Sequence, residues 1–365
     1  MAKLGEVCLL KAGKFVSAND ISPEYNKGLY PCFGGNGIRG YVADYTHDGE
    51  FPLIGRQGAL CGNVNLASGK FHATEHAVVV QPKIEMNVHW LYYALNAMNL
   101  GQYATGAAQP GLAVSKLETL SIEIPNISEQ NKIAQTLYKV EQLVNFRKQQ
   151  LAKLDELVKA RFVEMFGTFP ENPFRWSIGK IQDVVSDVRY GSSRPAVEGG
   201  KYPYLRMNNI TYSGELDLRD TKRIDIPDSE LDKCTVRRGD VLFNRTNSKE
   251  LVGKTCVYNR DELMVLAGFV IRVRINERIR PEVLSAFLNM DFSKRMLIGM
   301  CKTAIGQANI NAKELQNIDL YIPPIELQDQ FVTLKNKIDQ QKQTVQQSLE
   351  KLELLKKALM QEYFG

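Results

Sequence analysis

The stretch at residues 124–167 reads IPNISEQNKIAQTLYKVEQLVNFRKQQLAKLDELVKARFVEMFG, and residues 322–365 read IPPIELQDQFVTLKNKIDQQKQTVQQSLEKLELLKKALMQEYFG. Both stretches open with Ile-Pro and close with Phe-Gly, and a single offset aligns them without a gap. Identical residues at this offset include Gln130 and Gln328, Leu151 and Leu349, Leu154 and Leu352, and Leu157 and Leu355. The match continues upstream through Thr105/Thr303, Gln109/Gln307 and Leu117/Leu315. Such an internal duplication predicts a chain built from two similar halves.

Each copy carries an apolar seam that advances by alternating steps of three and four residues. The seam comprises Ile133, Leu137, Val140, Val144, Leu151, Leu154 and Val158 in the first copy, with Arg147 at one position, and Phe331, Ile338, Val345, Leu349, Leu352 and Leu359 in the second. A 3.5-residue repeat sustained over about four heptads is typical of a coiled coil. We therefore predict two long helices packed on each other. A surface helix packed on its own domain and a homodimeric coiled coil are the alternatives.

The ends of these helices also carry sequence signals. Pro125 and Pro323–Pro324 end the preceding strand, and Ser128 is a candidate N-cap for the first helix. Gly167 follows the last residue of the first helix, where glycine supplies the left-handed conformation of a helix end. About 38 residues at 1.5 Å each predict a rod of ~57 Å.

The composition is that of an ordinary globular protein, with 44% hydrophobic and 24% charged residues in 365. The sequence has no apolar run long enough for a membrane span, and its start does not resemble a signal peptide. The six cysteines are scattered without a CxxC pair, which favours reduced thiols and a cytoplasmic location.

The duplication divides the chain into four segments. They are a globular domain at residues 1–125, a helix at 126–167, a second globular domain at 168–323 and a second helix at 324–365. Both domains read as mixed α and β, with short β-branched or aromatic runs between glycine-rich turns and a helix predicted at Val88–Asn99 and at Pro281–Met290. The central parts of the two domains align poorly, which suits either two different binding specificities or neutral drift.

The charge distribution is uneven although the net charge is only +5. Basic and acidic residues nearly balance in residues 1–125, whereas residues 187–302 have an excess of basic residues. Such a bias suits a nucleic-acid partner, and it also suits an ordinary solvated surface.

Several clusters combine the side chains that DNA recognition requires. Arg, Lys, Asn and Gln pair with base edges, and Lys, Arg, Ser and Thr bind phosphates. In the second domain the candidate DNA-binding residues are Arg189, Ser192, Ser193, Arg194, Arg206, Asn208, Asn209, Asn244, Arg245, Asn247 and Lys249; in the first they are Arg39, Arg56, Gln57, Asn63, Lys70 and His72. The cluster from Asn244 to Lys249 follows a strand-like run, so we expect its side chains to project from a rigid edge.

Three strings with catalytic or metal-binding associations lack the context that their chemistry needs. The string His72-Ala-Thr-Glu-His76 fits the H-x-x-E-H metalloprotease pattern, but it runs into Ala77–Val80 and predicts a strand, on which residues four apart lie ~13 Å from each other. Asn172-Pro-Phe174 lacks the second proline of the Asn-Pro-Pro-Tyr motif of adenine methyltransferases, and Asp220-Thr-Lys222 has no suitably spaced Pro-Asp pair upstream. We therefore predict a binding protein with no catalytic residues and no metal or cofactor of its own.

Taken together, the chain resembles the specificity subunit of type I restriction-modification systems. The strings that carry the resemblance are YPCFGGNGIRGY, FPLIGRQGALCGNVN with the following ATEHAVVV, RRGDVLFNRTNSKELVGK, GAAQPGLAVSKLETLSIEIPNISEQNKI and AIGQANINAKELQNIDLYIPPIELQDQF. Asn126 stands where the family usually has a second proline, and Leu327 stands where the first copy has Glu129. The resemblance implies an α+β chain of two α/β target-recognition domains, each followed by a long helix. It further implies that the two helices form an antiparallel coiled coil with pseudo-twofold symmetry.

The resemblance also implies a function. Each target-recognition domain would read half of a bipartite double-stranded DNA target, and the helices would act as spacer and docking site. Two methyltransferase subunits would use S-adenosylmethionine, and restriction/translocase subunits would use ATP and Mg²⁺, so this chain would bind none of these cofactors. Two alternatives from other classes are a DNA-modifying enzyme, nuclease or methyltransferase, with an unrecognised site, and a coiled-coil structural adaptor.

Overall fold

The computed structural model describes residues 1–106, 110–304 and 307–365. Gln109 of the duplicated signature lies outside these residues. The chain divides by its contacts into two compact units, one of residues 1–148 and 347–365 and the other of residues 149–346. Each long helix therefore contributes to both units, and the four segments predicted from the sequence stay a prediction.

The first unit is built from two four-stranded sheets and short helices. Its elements are β1 (Ala2–Lys3), α1 (Leu4–Val7), β2 (Cys8–Ala12), β3 (Tyr30–Gly34), β4 (Gly37–Val42), β5 (His47–Asp48), β6 (Phe51–Gly55), β7 (Val64–Ala67), β8 (Lys70–Ala73), β9 (Ala77–Pro82), α2 (Val88–Ala97), α3 (Val114–Glu118), β10 (Ser121–Ile122) and the first part of α4 (Ile127–Phe166), with 3-10 turns at Ala18–Asp20 and Leu100–Tyr103. One sheet has the order β2-β9-β6-β7 and the other β4-β3-β8-β5, with only β3 and β8 parallel among these pairs; β1 pairs with β10.

The main core of the first unit lies around α2. Asn87 caps this helix by accepting a hydrogen bond from the Trp90 N–H at 2.9 Å, and Trp90 and Tyr93 are each 1% exposed. The β-branched run of β9 is buried from Ala77 to Val80, which is why it occupies a central position in its sheet. Ile133 and Leu137 of α4 complete this core.

The second unit has the same plan. Its elements are the rest of α4, β11 (Ser177–Lys180), β12 (Val185–Tyr190), β13 (Tyr202–Leu205), β14 (Lys222–Ile224), α5 (Asp228–Cys234), β15 (Thr235–Val236), β16 (Val241–Asn244), β17 (Thr246–Asn247), β18 (Thr255–Val257), β19 (Met264–Leu266), β20 (Val270–Ile275), α6 (Pro281–Asn289), α7 (Asp291–Met300), β21 (Lys302–Ala304), β22 (Gln307–Asn309), α8 (Ala312–Gln316), β23 (Asp319–Ile322) and the first part of α9 (Ile325–Phe364), with 3-10 turns at Ile181–Val184 and Met207–Asn209. Its four-stranded sheets have the orders β12-β20-β16-β18 and β14-β13-β19-β15, and smaller sheets pair β11 with β23 and order β17-β22-β21.

The core of the second unit is aromatic where the long helices meet it. Phe162 and Phe166 of α4 and Phe331 of α9 are buried in mutual edge-to-face contacts with ring centroids 5.0–5.6 Å apart. An ion pair with one buried partner lies in the β12–β20 sheet, where Arg272, 2% exposed, donates from Nη2 to the half-buried Asp187 at 2.7 Å. Burial acts to raise the pKa of Asp187, but hydrogen bonds from Arg272 and Arg189 outweigh it, so the pKa lies below its ordinary value.

The long helices α4 and α9 each run for 40 residues, and in each unit their segments lie antiparallel. In the first unit Glu141 pairs with Lys356 at 2.7 Å and Lys148 with Glu353 at 3.0 Å. In the second unit Asp155 pairs with Lys342. No helix in the described part of the chain is long and apolar enough to cross a membrane.

The first part of the predicted seam is buried in each helix, whereas Leu151, Leu154, Val158, Leu352 and Leu359 are half-buried. In the first copy Ile133, Leu137, Val140 and Val144 are at most 7% exposed, and in the second Phe331, Ile338, Val345 and Leu349 are too. Arg147, the polar seam position, donates from Nε to Ser348 Oγ at 3.2 Å. The predicted α+β class with paired long helices is confirmed.

The predicted N-cap of the first helix is wrong by two residues. The helix begins at Ile127, and the side chain of Asn126 accepts a hydrogen bond from the Glu129 N–H at 3.0 Å, so Asn126 is the cap and Ser128 lies inside the helix. The end is as predicted: Gly167 has a φ of +84° and its N–H donates to the Val163 carbonyl at 2.8 Å.

Candidate nucleic-acid interface

Arg245 is the first residue after β16, and both its backbone and its side chain are held. Its N–H donates to the Phe269 carbonyl at 3.0 Å, and its carbonyl accepts from the Ile310 N–H at 2.9 Å. The guanidinium carbon lies 4.9 Å from the ring centroid of Tyr190, and Nη2 donates to Asn309 Oδ1 at 3.1 Å. The structure therefore presents a cation of fixed orientation at a rigid strand end.

Two loops next to Arg245 are bonded to each other. The Ser192 N–H donates to the Leu266 carbonyl and the Gly268 N–H donates to the Ser192 carbonyl, both at 2.7 Å. The loops carry the exposed Ser193 and Phe269, the latter 54% exposed. Arg245 is thus accompanied by a hydroxyl and an exposed aromatic ring, which are groups that bind phosphate and stack on bases.

Three other arginines predicted to bind DNA already pair with carboxylates. Arg189 pairs with Asp187 at 2.9 Å, Arg194 with Glu230 at 2.7 Å and Arg206 with Asp220 at 2.9 Å. The hydrogen bonds from Arg194 and Arg206 lower the pKa of Glu230 and of Asp220, respectively. The carboxylates therefore partly neutralise these three arginines, which makes them less available to a DNA phosphate than an unpaired cation would be.

Three polar candidates of the second unit are buried. Asn209, 2% exposed, accepts from the Arg206 N–H at 2.9 Å and donates to the Asp217 carbonyl at 2.8 Å. Ser192 is 4% exposed, its Oγ accepts from the Arg194 N–H at 3.2 Å, and Asn244 is 0% exposed. Their side chains face the protein, because the loops around them close over them.

The remaining candidates of the second unit reach solvent. Asn208 and Lys249 are exposed, and Asn247 is half-buried. The Asn247 carboxamide oxygen accepts from the Ser248 N–H at 2.9 Å, so its amino group stays available. These residues and Arg245 are the candidates of the second unit that a DNA ligand can reach.

In the first unit Arg56 and Gln57 follow β6. The Arg56 N–H donates to the His76 carbonyl at 3.0 Å, and its side chain is half-buried. Gln57 is exposed and forms an isolated antiparallel bridge with Gly111. His72 lies on β8 with 8% exposure, and its Nε2 donates to the Lys14 carbonyl at 3.2 Å, so its side chain faces the protein.

The other first-unit candidates lie on turns. Arg39 is exposed, and its aliphatic stem lies over Gly34, where a Cβ would come within 2.4 Å of Arg39 Cδ. Asn63 donates to Asn36 Oδ1 at 3.0 Å, and Lys70 lies 4.6 Å above the ring of Tyr45. The structure thus leaves Arg39, Arg56, Gln57, Asn63 and Lys70 accessible in this unit.

A protein-family model described as the type I restriction modification DNA specificity domain matches residues 1–156 and 175–354. The chain belongs to this family. Among its relatives, the type I restriction enzyme EcoprrI specificity subunit of Escherichia coli is 53% identical over 143 residues, which are 39% of this chain and 36% of that protein. The EcoKI specificity subunit of Escherichia coli K12 is 22% identical over 260 residues, 67% of this chain and 56% of that protein. The chain thus spans less than two thirds of either relative.

A solved member of the family shares the fold. The S subunit of the type I restriction-modification system of M. genitalium superposes with a TM-score of 0.63 over 100% of this chain and 95% of that one. The sequence identity is 17%, so this similarity concerns the fold.

Three residues around Arg245 were not among the candidates predicted from the sequence. The Tyr190 ring lies 4.9 Å from the Arg245 guanidinium carbon, Asn309 accepts a hydrogen bond from Arg245, and Phe269 is an exposed ring whose carbonyl accepts from the Arg245 N–H. Tyr190 lies between the candidates Arg189 and Ser192 in the sequence, and Asn309 lies in the string AIGQANINAKELQNIDLYIPPIELQDQF. Neither could be assigned to Arg245 from the sequence, because the pairing joins segments far apart in the chain.

The histidine string His72–His76 does not lie on a helix. His72 lies on β8 and His76 in the turn before β9, so the two histidines do not share a helix face. Among the residues described, no three His, Cys, Asp or Glu side chains are grouped so as to hold a metal ion.

Proposed function

We propose that this chain is the DNA-recognition subunit of a type I restriction-modification complex. Each unit would read one half of a bipartite double-stranded DNA target, and the long helices would set the spacing between the halves. The observation that carries this proposal is the double match to the specificity family, once in each half, together with the same strand orders in both units. Two copies of one reading unit suit a target in two parts.

The chemistry of the accessible surface supports DNA as the ligand. Arginine pairs bidentately with guanine and asparagine or glutamine with adenine, whereas lysine and serine suit phosphate. The residues proposed for these contacts are Arg39, Arg56, Gln57, Asn63 and Lys70 in the first unit and Ser193, Asn208, Arg245, Asn247 and Lys249 in the second. The candidates that are buried or paired with carboxylates are not proposed to contact DNA.

The helices offer a surface for protein partners. Leu143 and Phe146 of α4 are 45% and 57% exposed, and Leu354 of α9 is 68% exposed, although all three are apolar. One structural neighbour, with a TM-score of 0.55, comes from a study of complex assembly in a type I restriction-modification system. We propose that two methyltransferase subunits and the restriction/translocase subunits dock on the helices. They would carry S-adenosylmethionine, ATP and Mg²⁺, while this chain carries out no catalysis.

Selection from a randomised duplex library by the full chain, with and without its partner subunits, tests the DNA proposal. A bipartite consensus with a fixed spacer is the expected result. Binding with no sequence preference in both preparations would contradict it. Incubation of the chain alone with DNA, Mg²⁺, S-adenosylmethionine and ATP is expected to yield neither methylation nor cleavage, and robust modification by a homogeneous preparation would favour the enzyme alternative.

Co-purification tests the docking proposal. Phe146→Ser and Leu354→Ser are expected to reduce recovery of the methyltransferase subunit, because each removes exposed apolar area. Lys153→Ser, a change at an exposed polar position of α4, serves as the control. Equal recovery with all three variants would exclude this surface.

A further inference from the structure

Arg56 and Arg245 occupy equivalent places in the two units. Each is the first residue after a strand at the same position in its sheet order, β6 in the first unit and β16 in the second. The Arg56 N–H donates to the His76 carbonyl at 3.0 Å, and the Arg56 carbonyl accepts from the Leu112 N–H at 2.9 Å. The Arg245 N–H likewise donates to the Phe269 carbonyl at 3.0 Å, and the Arg245 carbonyl accepts from the Ile310 N–H at 2.9 Å. In both arginines Nε is buried without a hydrogen-bond partner among the described residues.

The preceding residues confirm this equivalence. The Gly55 N–H donates to the Asn63 carbonyl at 2.8 Å, and the Gly55 carbonyl accepts from Gly62 at 2.7 Å. Asn244 repeats the pattern with Lys254 at 2.9 Å and Gly253 at 2.8 Å. The sequence offset between the arginines differs from that of the helices, which is why the duplication did not reveal the pair.

The two arginines differ in the residues beside them. Gly13 and Gly191 are equivalent. A Cβ on Gly13 would lie 2.0 Å from the Ala73 carbonyl oxygen at the end of β8, and a Cβ on Gly191 would lie 2.1 Å from the Leu266 carbonyl oxygen at the end of β19. The residues before them are Ala12 in the first unit and Tyr190 in the second. In the same way Leu112 and Ile310 are equivalent, and the residues before them are Gly111 and Asn309. Only the second unit has a ring and an amide at these places.

Tyr190 and Asn309 fix the guanidinium of Arg245. The Tyr190 hydroxyl accepts a hydrogen bond from the Ala312 N–H at 2.8 Å, so the ring under Arg245 is itself anchored. Nη2 of Arg245 gives one N–H to Asn309, and Nε is buried. The donors left for a ligand are Nη1 and the second N–H of Nη2. Two parallel donors of this kind match the O6 and N7 acceptors of guanine in the major groove.

We propose that Arg245 reads a guanine in the half-site of the second unit, with Tyr190 and Asn309 as its positioning residues. Arg56 contacts the first half-site from the equivalent place without such positioning. Holding the fork in advance lowers the entropy lost on binding, and it favours a base contact over a contact with any phosphate in reach. This inference rests on the proposed function.

The test uses the full chain with its partner subunits and a randomised duplex library, at several salt concentrations. Arg245→Lys keeps the charge but loses the fork, so it is expected to lower the preference for guanine at one position of one half-site by about 5- to 150-fold. Tyr190→Leu and Asn309→Gly, the latter giving the residue of the first unit, are expected to weaken the preference at that same position. Tyr190→Phe keeps the ring and is expected to retain most of it.

Arg56→Lys serves as the matched variant and is expected to change only the other half-site. Unfolding midpoints establish that each variant is folded. An unchanged guanine preference in folded Arg245→Lys overturns the inference. The inference is also overturned if Arg245→Ala weakens binding equally for all sequences and lowers the salt slope of the binding constant by about one. That result would identify a phosphate contact. If the wild-type protein selects no bipartite site, that result contradicts the proposed function itself. It is distinguishable from a failure of the inference about Arg245, because it is seen with the wild-type protein alone.

Discussion

The side chain of Gln328 joins the start of α9 to the start of α6, because its Oε1 accepts a hydrogen bond from the Arg280 N–H at 2.8 Å. Its Nε2 donates to the Pro323 carbonyl at 2.9 Å, and the residue is 0% exposed. The first unit repeats the arrangement: Gln130 Oε1 accepts from the Asn87 N–H at 2.9 Å. Both glutamines thus tie a long helix to the first turn of a core helix.

Gln328→Leu is expected to lower the free energy of unfolding by about 1–3 kcal/mol. The change leaves the Arg280 N–H and the Pro323 carbonyl buried without partners, and unsatisfied polar groups cost this much. Denaturant titration measures the effect. Gln330→Ala, at an exposed position of the same helix, is expected to change stability by less than about 0.5 kcal/mol. Equal stability of both variants would show that the buried amide does not tie the two helices.

Asp187→Ala is expected to destabilise the second unit by about 1–3 kcal/mol, because it leaves the buried Arg272 without the carboxylate that accepts from Nη2. Losing the partner of a buried charge costs more than losing an exposed pair. Asp261→Ala, which removes the partner of the exposed Arg238, is expected to cost much less, because solvent screens an exposed pair. Chemical unfolding of both variants compares the two pairs, and similar costs would contradict the assigned role of Arg272.

Lys294 is expected to make stability rise with pH. Burial, with the charges of Lys159 and Lys254, lowers its pKa from 10.5 to about 7, and its Nζ donates to the Gly253 carbonyl at 2.6 Å. Between pH 7 and 10.5 the unfolded chain binds a proton that the folded chain does not, so stability falls as pH falls through this window and levels off below about 7.

The variant Lys294→Met removes this titration. Relative to wild type, it is expected to gain more stability at pH 7 than at pH 9.5, as measured by unfolding at each pH. Lys313→Met, at an exposed position, is expected to follow the wild-type profile. A constant difference between Lys294→Met and wild type at all pH values would refute the lowered pKa.

Lys249→Ala and Arg206→Ala are expected to affect DNA binding differently. Lys249 is exposed, so its removal should reduce the salt slope of the binding constant by about one if it contacts phosphate. Arg206 already pairs with Asp220 at 2.9 Å, so its removal should leave the slope nearly unchanged. Titrations of duplex DNA at several salt concentrations distinguish the two, and equal slopes in both variants would show that the ion pair does not withhold the arginine.

Lengthening both long helices is expected to lengthen the DNA spacer. Four residues inserted after Gln149 and after Gln347 act as a stutter, which locally unwinds the seam without destroying it, and add ~6 Å, the rise of about two base pairs. Library selection should return the same half-site sequences with a spacer longer by one or two pairs. The same insertion between Asn26 and Lys27, in an exposed loop, should keep the original spacer. A folded double-insertion variant that keeps it too would show that the helices do not set the spacing.

The helices could be predicted from the sequence because their seam is a local periodic pattern that the packing preserves. The sequence alone does not distinguish Ser128 from Asn126 as the N-cap, because both residue types cap helices and only the backbone conformation decides between them. The burial of Asn244 had no local signal, since it depends on loops that close over the end of β16 from elsewhere in the chain. The equivalence of Arg56 and Arg245 was likewise invisible, because hydrogen bonds preserve it while the intervening sequences differ in length.

The first unit is closed by residues 347–365, whose Leu359, Met360, Tyr363 and Phe364 pack against the core around Trp90. A ribosome makes that core long before it makes these residues, although domains generally fold in the order of their synthesis. The apolar surface around Trp90 therefore lacks its contacts with α9 while residues 149–346 of the second unit are translated. A chain truncated before Leu359 would lack this cover, and part of the apolar surface around Trp90 would stay exposed to solvent.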